Sequence, residues 1–258
     1  MDLGLEGKVV LVTGGSDGLG RALCQGLVAE QAKVALCARD PDRLAATAEA
    51  LRDAGGDVLE VPADVTEPAD LSRFVDSAAQ RWGRIDAVVN NAGRSSAMPV
   101  AESLDADWDE DLQLKVYAAV RLTRFALPHL RQHGGAIVNT LALAAKAPGA
   151  GSTPTSVSRA AGMALTKALS KELAPLGIRV NAVLIGLMES GQWERRAPEQ
   201  GLAVDELYGR LATDTGIPLG RVGRATEYAD LVTYLLSPRA SYVTGTAINL
   251  DGGLSPVV

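Results

Sequence analysis

A short apolar strand pattern that ends in a glycine-rich turn most constrains what this chain can fold into. The run KVVLVTG (8–14) is apolar and β-branched, and the turn TGGSDGLG joins it to a helical pattern over residues 20–31. Gly14, Gly18 and Gly20 permit a tight turn, and the N-terminus of the next helix offers free N–H groups and a positive dipole end. Because a strand precedes the turn and a helix follows it, we interpret it as a dinucleotide-binding loop.

The same alternation of strand and helix patterns continues along the chain. Further strands are predicted at 33–39, 57–65, 86–93, 136–143, 178–186 and 244–253, and further helices at 41–56, 68–83, 107–135 and 155–177. Repeated β-α units imply a parallel sheet covered by helices on both faces, which right-handed crossovers make doubly wound. We therefore predict an α/β Rossmann fold of about seven strands, as a single domain over residues 1–258, with a loop around 187–216 that shapes a substrate pocket.

Composition narrows the classes of partner. The chain is 47% hydrophobic and 22% charged, which is typical of a globular protein, and its net charge of −6 favours neither nucleic acid nor an anionic membrane. The first residues lack a signal-peptide pattern, and no apolar run is long enough for a membrane span, so a cytoplasmic protein is predicted. Cys24 and Cys37 lack metal-ligand spacing, so we expect two buried thiols and no metal site.

Several motifs together resemble the short-chain dehydrogenase/reductase family over nearly the whole chain. They are the glycine spacing of the turn, ADV (63–65), NNAG (90–93) and GIRVNAV (177–183). The resemblance implies a nicotinamide cofactor, a small-molecule substrate and a homo-oligomer, either a dimer or a tetramer. It implies these cofactor-binding residues: Gly14, Ser16, Asp17, Gly18, Leu19, Gly20, Arg39, Asp64, Val65, Asn91, Ala92, Gly93, Arg159, Gly186 and Ser190.

The end of the second strand bears on which cofactor is bound. Members of the family that prefer NAD place an acid there, whereas this chain has Ala38 followed by Arg39. An arginine can pair with the 2′-phosphate, so the resemblance favours NADP(H), with NAD(H) as the alternative. Asp17 argues the other way, because a carboxylate in the turn would repel a phosphate.

The four residues that carry the family's reaction are all replaced. The family uses an asparagine in the fourth helix, a serine at the end of the fifth strand, and a tyrosine followed four residues later by a lysine. The matching positions here are Lys115, Ala142, Thr155 and Arg159. Ala142 and Thr155 keep the family's spacing of thirteen residues, so the alignment is consistent along the chain.

These replacements remove the family's usual proton donor. A threonine hydroxyl is a poor acid beside a phenol, and Ala142 donates no hydrogen bond. Losing general acid catalysis typically costs ~10²–10⁴-fold in rate. Arg159 keeps the charge that would hold the nicotinamide ribose. If Lys115 points into the site, burial and Arg159 would lower its pKa and make it an acid, a base or a Schiff-base nucleophile. Alternatively, its stem lies along the helix and its amine reaches solvent or a carbonyl.

Weaker candidates surround these positions. Lys146 follows the fifth strand and is expected to be exposed, and Glu189, Trp193 and Glu194 lie in the presumptive substrate loop. The hydroxyl residues Ser152, Thr153, Ser156 and Ser158 are interpreted as a helix cap and turn.

Three functions remain open from the sequence. The first is an oxidoreductase with a substituted proton donor, for which Lys115, Thr155 and Arg159 are the catalytic candidates. The second is a non-redox lyase or isomerase on the same fold. The third is a pseudoenzyme that binds the cofactor as a scaffold or oligomer partner, which the loss of all four residues beside an intact phosphate loop would favour.

Overall fold

A parallel sheet forms the centre of the protein. The computed structural model describes residues 2–258, apart from the side chain of Gln192. Within these residues the strands are β1 (Val9–Thr13), β2 (Lys33–Ala38), β3 (Val58–Pro62), β4 (Ala87–Asn90), β5 (Gly135–Ala142), β6 (Ile178–Ile185) and β7 (Ala247–Leu250). Their order in the sheet is β3-β2-β1-β4-β5-β6-β7, and every neighbouring pair is parallel. The predicted seven-stranded α/β fold is confirmed.

Helices cover both faces of this sheet. They are α1 (Gly18–Ala29), α2 (Pro41–Asp53), α3 (Pro68–Trp82), α4 (Asp105–Leu112), α5 (Ala118–Leu130), α6 (Thr155–Glu172), α7 (Gly191–Glu199), α8 (Val204–Thr215) and α9 (Ala225–Leu236). One core contains residues of α1, α2 and α9, and the other contains residues of α3 and α5 with the partly buried end of α6. Among residues 2–258, no helix has the length and apolar character needed to cross a bilayer.

The sequence of β1 shows why both faces must be covered. Val10 and Val12 point into one core, and Val9 and Leu11 point into the other, all fully buried. A strand with apolar side chains on both faces is stable only when each face is packed, because each buried side chain of this size contributes about 1.5–3 kcal/mol. The same burial applies to Cys24 and Cys37, as predicted.

The fourth helix differs from its prediction. A continuous helix over 107–135 was expected, but the chain forms α4, then one π-helical turn (Gln113–Tyr117), then α5, which ends at Leu130. The apolar periodicity of the segment does not reveal the extra residue of a π turn. This turn carries Lys115 and lies beside the carboxyl ends of β4 and β5, where π turns are often functional.

Candidate active site

The crevice of the fold opens between β1 and β4, where the strand order reverses. The loops that follow these two strands are joined directly. The hydroxyl of Thr13 accepts the backbone N–H of Asn91 and of Ala92, each at 3.0 Å. The Asn91 amide donates to the carbonyls of Thr13 and Gly14 at 2.9 and 3.2 Å. The side chain of Asn91 and the backbone of Ala92 therefore hold the phosphate loop in place, whereas the Asn90 amide donates to Asn139 of β5 at 2.8 Å.

The glycines of the phosphate loop are required by its geometry. Gly14 and Gly18 have φ of +65° and +47°, which disfavours any other residue. A Cβ on Gly20 would lie 2.0 Å from the carbonyl oxygen of Gly14. The loop and the first turn of α1 therefore pack backbone against backbone, and this leaves a surface that a pyrophosphate can approach closely.

Asp17 caps α1, and its charge is neutralised by two arginines. Its carboxylate accepts the N–H of Gly18 at 2.8 Å and pairs with Arg43 at 3.2 Å and with Arg195 of α7 at 2.9 Å. Burial alone would raise the pKa of Asp17, but the hydrogen bonds from Arg195 and Gly18 and the two positive charges outweigh it and lower the pKa. The predicted repulsion of a phosphate by Asp17 is thus offset by one arginine of α2 and one of α7.

Two other residues of this loop serve its packing. Ser16 is buried, and its carbonyl accepts the hydroxyl of Thr47 at 3.2 Å. Leu19 packs against the core on the α1 face. Both residues stabilise the loop on the side that faces the protein core.

An open cleft of about 390 Å³ continues from the ends of β2 and β3. Arg39 and Asp64 line it together with Arg94, whose guanidinium pairs with Glu110. One carboxylate oxygen of Asp64 accepts the N–H and the hydroxyl of its neighbour two residues on, at 2.9 and 2.7 Å, and Val65 is buried beneath. The exposed guanidinium of Arg39 at one end and the acceptor of Asp64 inside suit the adenosine half of a phosphorylated dinucleotide.

Arg159 lies at the opposite end of the crevice. Its Nη1 donates to the carbonyl of Thr140 at 2.7 Å, and a Cβ on Gly93 would lie 2.7 Å from its Nη2. Its Nε is buried and has no partner among the described residues. Burial lowers the pKa of Arg159 to about 10, so the group stays protonated at neutral pH. A planar cation in contact with the NNAG backbone can hold ribose hydroxyls.

The third part of the expected cofactor site follows β6. A Cβ on Gly186 would lie 2.9 Å from the Cα of Asp251, so this glycine is needed for the approach of the chain after β7. Ser190 precedes α7, donates its N–H to the hydroxyl of Tyr208 at 3.1 Å, and packs next to Gly18. The start of α7 therefore sits on the phosphate loop.

Lys115 and Thr155 are brought into direct contact. The Lys115 Nζ donates to Thr155 Oγ1 at 3.1 Å, and the same oxygen accepts the backbone N–H of Ser96 at 2.9 Å. The side chain of Lys115 exposes 0% of its surface. The alternative prediction, in which the amine reaches solvent or a carbonyl, is therefore wrong, because the amine binds Asp111 and Thr155. Burial and the charge of Arg159 lower the pKa of Lys115 to about 8, although Asp111 acts in the opposite direction.

Asp111 is the part of the site that the sequence analysis missed. It lies on α4, is 1% exposed, and forms a buried ion pair with Lys115. Its other oxygen accepts the hydroxyl of Ser158 at 2.5 Å. The spacing of four residues between Asp111 and Lys115 was a visible signal, because such residues share a helix face. No local pattern links either residue to Ser158.

Two secondary expectations are corrected, and a third candidate has a structural contact. Ser158 lies inside α6 and binds Asp111, so it is not a cap or turn residue. Lys146 is half-buried rather than exposed, because its amine donates to Ala247 and Asn249 of β7 at 2.9 and 3.0 Å. Glu189 accepts the backbone N–H of residue 225 at 3.3 Å and so supports the start of α9.

Tyr228 of α9 is a further residue that the sequence analysis did not single out. It is fully buried, and its hydroxyl contacts Thr140 Oγ1 at 2.5 Å and the Asn91 amide oxygen at 3.3 Å. Burial raises the pKa of this phenol well above its usual range. Tyr228 therefore stabilises the loop that contains Asn91. With its raised pKa, its phenol does not replace the acidic tyrosine that the family has at position 155.

Comparison with known proteins identifies the family. The family model described as enoyl-(acyl carrier protein) reductase matches residues 14–255. The chain belongs to the short-chain dehydrogenase/reductase family. A ketoacyl reductase of the granaticin polyketide synthase from Streptomyces violaceoruber is 38% identical over 253 residues, which are 95% of this chain and 92% of the relative.

Two solved structures from this family are also similar. A short chain oxidoreductase from Pseudomonas aeruginosa PAO1, solved with NADPH and described as containing an atypical catalytic center, is 38% identical with a TM-score of 0.92, covering 97% of this chain and 98% of the other. The L-sorbose reductase from Gluconobacter frateurii, complexed with NADPH and L-sorbose, is 35% identical with a TM-score of 0.95 over 100% of both chains. Among the described residues of this family member, no group of three or more histidines, cysteines or acids could hold a metal ion.

Proposed function

We propose that this short-chain dehydrogenase/reductase is an NADP(H)-dependent oxidoreductase that reduces a carbonyl group, with Lys115 as the proton source and Thr155 as the relay. The contact of 3.1 Å between Lys115 Nζ and Thr155 Oγ1 carries the proposal. The relatives support the reaction class, since they include a ketoacyl reductase and an L-sorbose reductase solved with NADPH.

The hydrogen-bond pattern of Thr155 suits a relay. Its oxygen accepts from Lys115 and from Ser96, and none of the hydrogen bonds among residues 2–258 uses its own hydroxyl hydrogen. As whole residues, Thr155 is 8% and Lys115 is 5% exposed. In the proposal, the free hydroxyl hydrogen of Thr155 is the one that binds a substrate oxygen.

The proton moves in two coupled transfers. When bound, NADPH would supply the hydride for the carbonyl carbon. As negative charge develops on the substrate oxygen, Thr155 gives it the hydroxyl proton and Lys115 gives a proton to Thr155 Oγ1. The products are an alcohol and NADP⁺, with one proton consumed. Threonine alone is a poor acid, but in this arrangement it only passes a proton on from an ammonium whose pKa of about 8 is close to neutral.

The cofactor fits the residues that surround the crevice. In the proposal, Gly14, Gly18 and Gly20 approach the pyrophosphate, and Arg39 pairs with the 2′-phosphate. Arg159 would donate to the nicotinamide ribose through its guanidinium, whose Nη2 lies against Gly93. Of the other expected residues, the proposal assigns Asp64 and Val65 to the adenosine half, and Ala92, Gly93, Gly186 and Ser190 to the nicotinamide half, while Ser16, Asp17, Leu19 and Asn91 support the phosphate loop.

The assembly is a further part of the proposal. The family resemblance favours a dimer or tetramer of this chain. Light scattering on the purified protein would measure the assembly, and a monomeric mass would contradict this part.

The test combines binding with turnover. Fluorescence titration should give micromolar NADPH binding to the wild type and to Lys115→Met. NADPH consumption is then followed with acetoacetyl-N-acetylcysteamine and L-sorbose as probes, and Lys115→Met should lose about 10²–10⁴-fold in rate. Equal turnover in this variant would overturn the role of Lys115. NADPH binding without turnover of either probe in the wild type would favour a scaffold, and product formed without NADPH consumption would favour a lyase or isomerase.

A further inference from the structure

Asp111 is a buried carboxylate that the proposed reaction does not yet use. It lies at the end of α4, one residue before the last of that helix, and its side chain exposes 0% of its surface. One oxygen contacts the Lys115 ammonium and the other accepts from Ser158 Oγ at 2.5 Å. A buried charge is costly unless it is paired and hydrogen-bonded, and Asp111 is both.

We propose that Asp111 is a positioning residue, which holds the Lys115 ammonium against Thr155 and sets the pH range over which Lys115 can deliver a proton. This inference rests on the proposed function, because it assigns Asp111 a task in the same proton transfer. Asp111 touches no reacting atom and acts only through Lys115.

The charges around Lys115 show why a carboxylate is needed there. Arg159 faces it from α6 and Arg94 lies near it in the chain after β4, while Arg94 itself pairs with Glu110. Asp111 is the anion in contact with the Lys115 amine. Burial, Arg159 and Arg94 all favour the neutral amine, and Asp111 opposes them. Without Asp111, the lysine would lose its proton at a lower pH.

The geometry adds an orienting role to the electrostatic one. Asp111 and Lys115 stand four residues apart across the start of the π turn, and Asp111 is tied to Ser158 on α6. Ser158 Oγ also lies 3.0 Å from the carbonyl oxygen of Thr155. The carboxylate therefore joins α4 to the same turn of α6 that carries the relay hydroxyl. Its two contacts fix the Lys115 amine at hydrogen-bond distance from Thr155 Oγ1.

A direct titration of Lys115 tests the proposal without any substrate. Protein labelled with ¹⁵N-lysine is titrated by NMR, and the Lys115 signal is assigned by its absence in Lys115→Met. In wild type the amine should titrate near pH 8, and in Asp111→Asn its midpoint should fall by at least about one pH unit. An unchanged midpoint in Asp111→Asn would overturn the proposal.

The pH dependence of turnover is a second test of the role of Asp111. With acetoacetyl-N-acetylcysteamine and NADPH, the ratio of the Asp111→Asn rate to the wild-type rate should fall as pH rises from 6 to 8, because the variant loses its acid first. A merely structural role would lower the rate by the same factor at every pH. If Lys115→Met retains full turnover, the proposed function fails, but the NMR midpoint still reports on Asp111 alone.

A measurement of stability tests the proposal even if Asp111→Asn folds poorly at neutral pH. Chemical unfolding of Asp111→Asn and of the double variant Asp111→Asn/Lys115→Met is measured at pH 7 and pH 9.5. At pH 9.5, where Lys115 is neutral, the free energy of unfolding of Asp111→Asn should come closer to that of the wild type than it does at pH 7. The double variant should not show this change. An equal loss at both pH values in the single variant would contradict the electrostatic role of Asp111.

Discussion

The Nζ of Lys115 lies 3.1 Å from the Oγ1 of Thr155, and both residues are buried. By resemblance these positions belong to the asparagine and the tyrosine of the family's reaction. Two replacements that look unrelated in the sequence are therefore in direct contact. The contact places an amine and a hydroxyl in series, as the proposed proton transfer requires.

The buried amine predicts a pH dependence of stability. Lys115 has a pKa of about 8 in the folded protein and an ordinary value of 10.5, so between these values the unfolded chain binds more protons. The free energy of unfolding should therefore rise with pH across this window, by up to about 3 kcal/mol for one group. Chemical unfolding of wild type and Lys115→Met from pH 7 to 10.5 measures this. If the free energies of unfolding of wild type and Lys115→Met change in parallel with pH, the pKa of Lys115 is not lowered in the folded protein.

Arg159 is predicted to hold the nicotinamide ribose. Arg159→Met should weaken NADPH binding about 10–100-fold, because hydrogen bonds from a buried charged donor are lost. Arg159→Lys should recover part of this affinity, since it keeps the charge but not the planar set of donors. Fluorescence titration with NADPH measures all three proteins, and the same Kd for each would refute the contact.

Gly20 is predicted to be indispensable for the phosphate loop. In Gly20→Ala the new Cβ would collide with the carbonyl of Gly14, so NADPH affinity should fall at least about tenfold and the protein should lose stability. Gly209→Ala is the matched control, because this position lies in α8 with no atom within 4 Å of the new Cβ. The control should bind NADPH normally and gain about 0.5–1 kcal/mol of stability. Normal binding by Gly20→Ala would exclude a close approach of phosphate to this backbone.

Arg39 is predicted to set the cofactor preference. Arg39→Ala should weaken NADPH binding about tenfold or more while leaving NADH binding unchanged, because only NADPH carries the 2′-phosphate. The difference in NADPH affinity between wild type and Arg39→Ala should become smaller at high salt, because the ion pair between Arg39 and the 2′-phosphate would be exposed to solvent. Arg210→Ala, which removes an exposed arginine of α8, is the control. An equal loss for both cofactors would place the 2′-phosphate elsewhere.

Much of the fold could be predicted because its signals are local. Apolar runs bounded by glycine and proline mark the strands, and the apolar spacing of the helices matches their buried faces. The phosphate loop was recognisable because its glycines follow a strand and precede a helix. The positions of Lys115 and Thr155 followed from the spacing of the family's motifs along the chain.

The rest of the site depends on contacts that sequence spacing does not encode. Asp111 and Ser158 are 47 residues apart and meet only because α4 and α6 pack together. The π turn that carries Lys115 adds one residue to a helix, and no single residue type in the sequence marks it. Lys146 looked like a surface lysine, yet the carbonyl of Ala247 and the side chain of Asn249 lie within its reach.

The relay through Thr155 is the central claim, and two matched variants test it most directly. Thr155→Ser keeps the hydroxyl, whereas Thr155→Val keeps the shape and removes it. Single-turnover oxidation of bound NADPH is measured with acetoacetyl-N-acetylcysteamine at pH 7, after NADPH binding to each variant has been verified. We predict that Thr155→Ser stays within a few-fold of wild type and that Thr155→Val is slower by about 10²-fold or more. Equal rates for the serine and valine variants would contradict the relay.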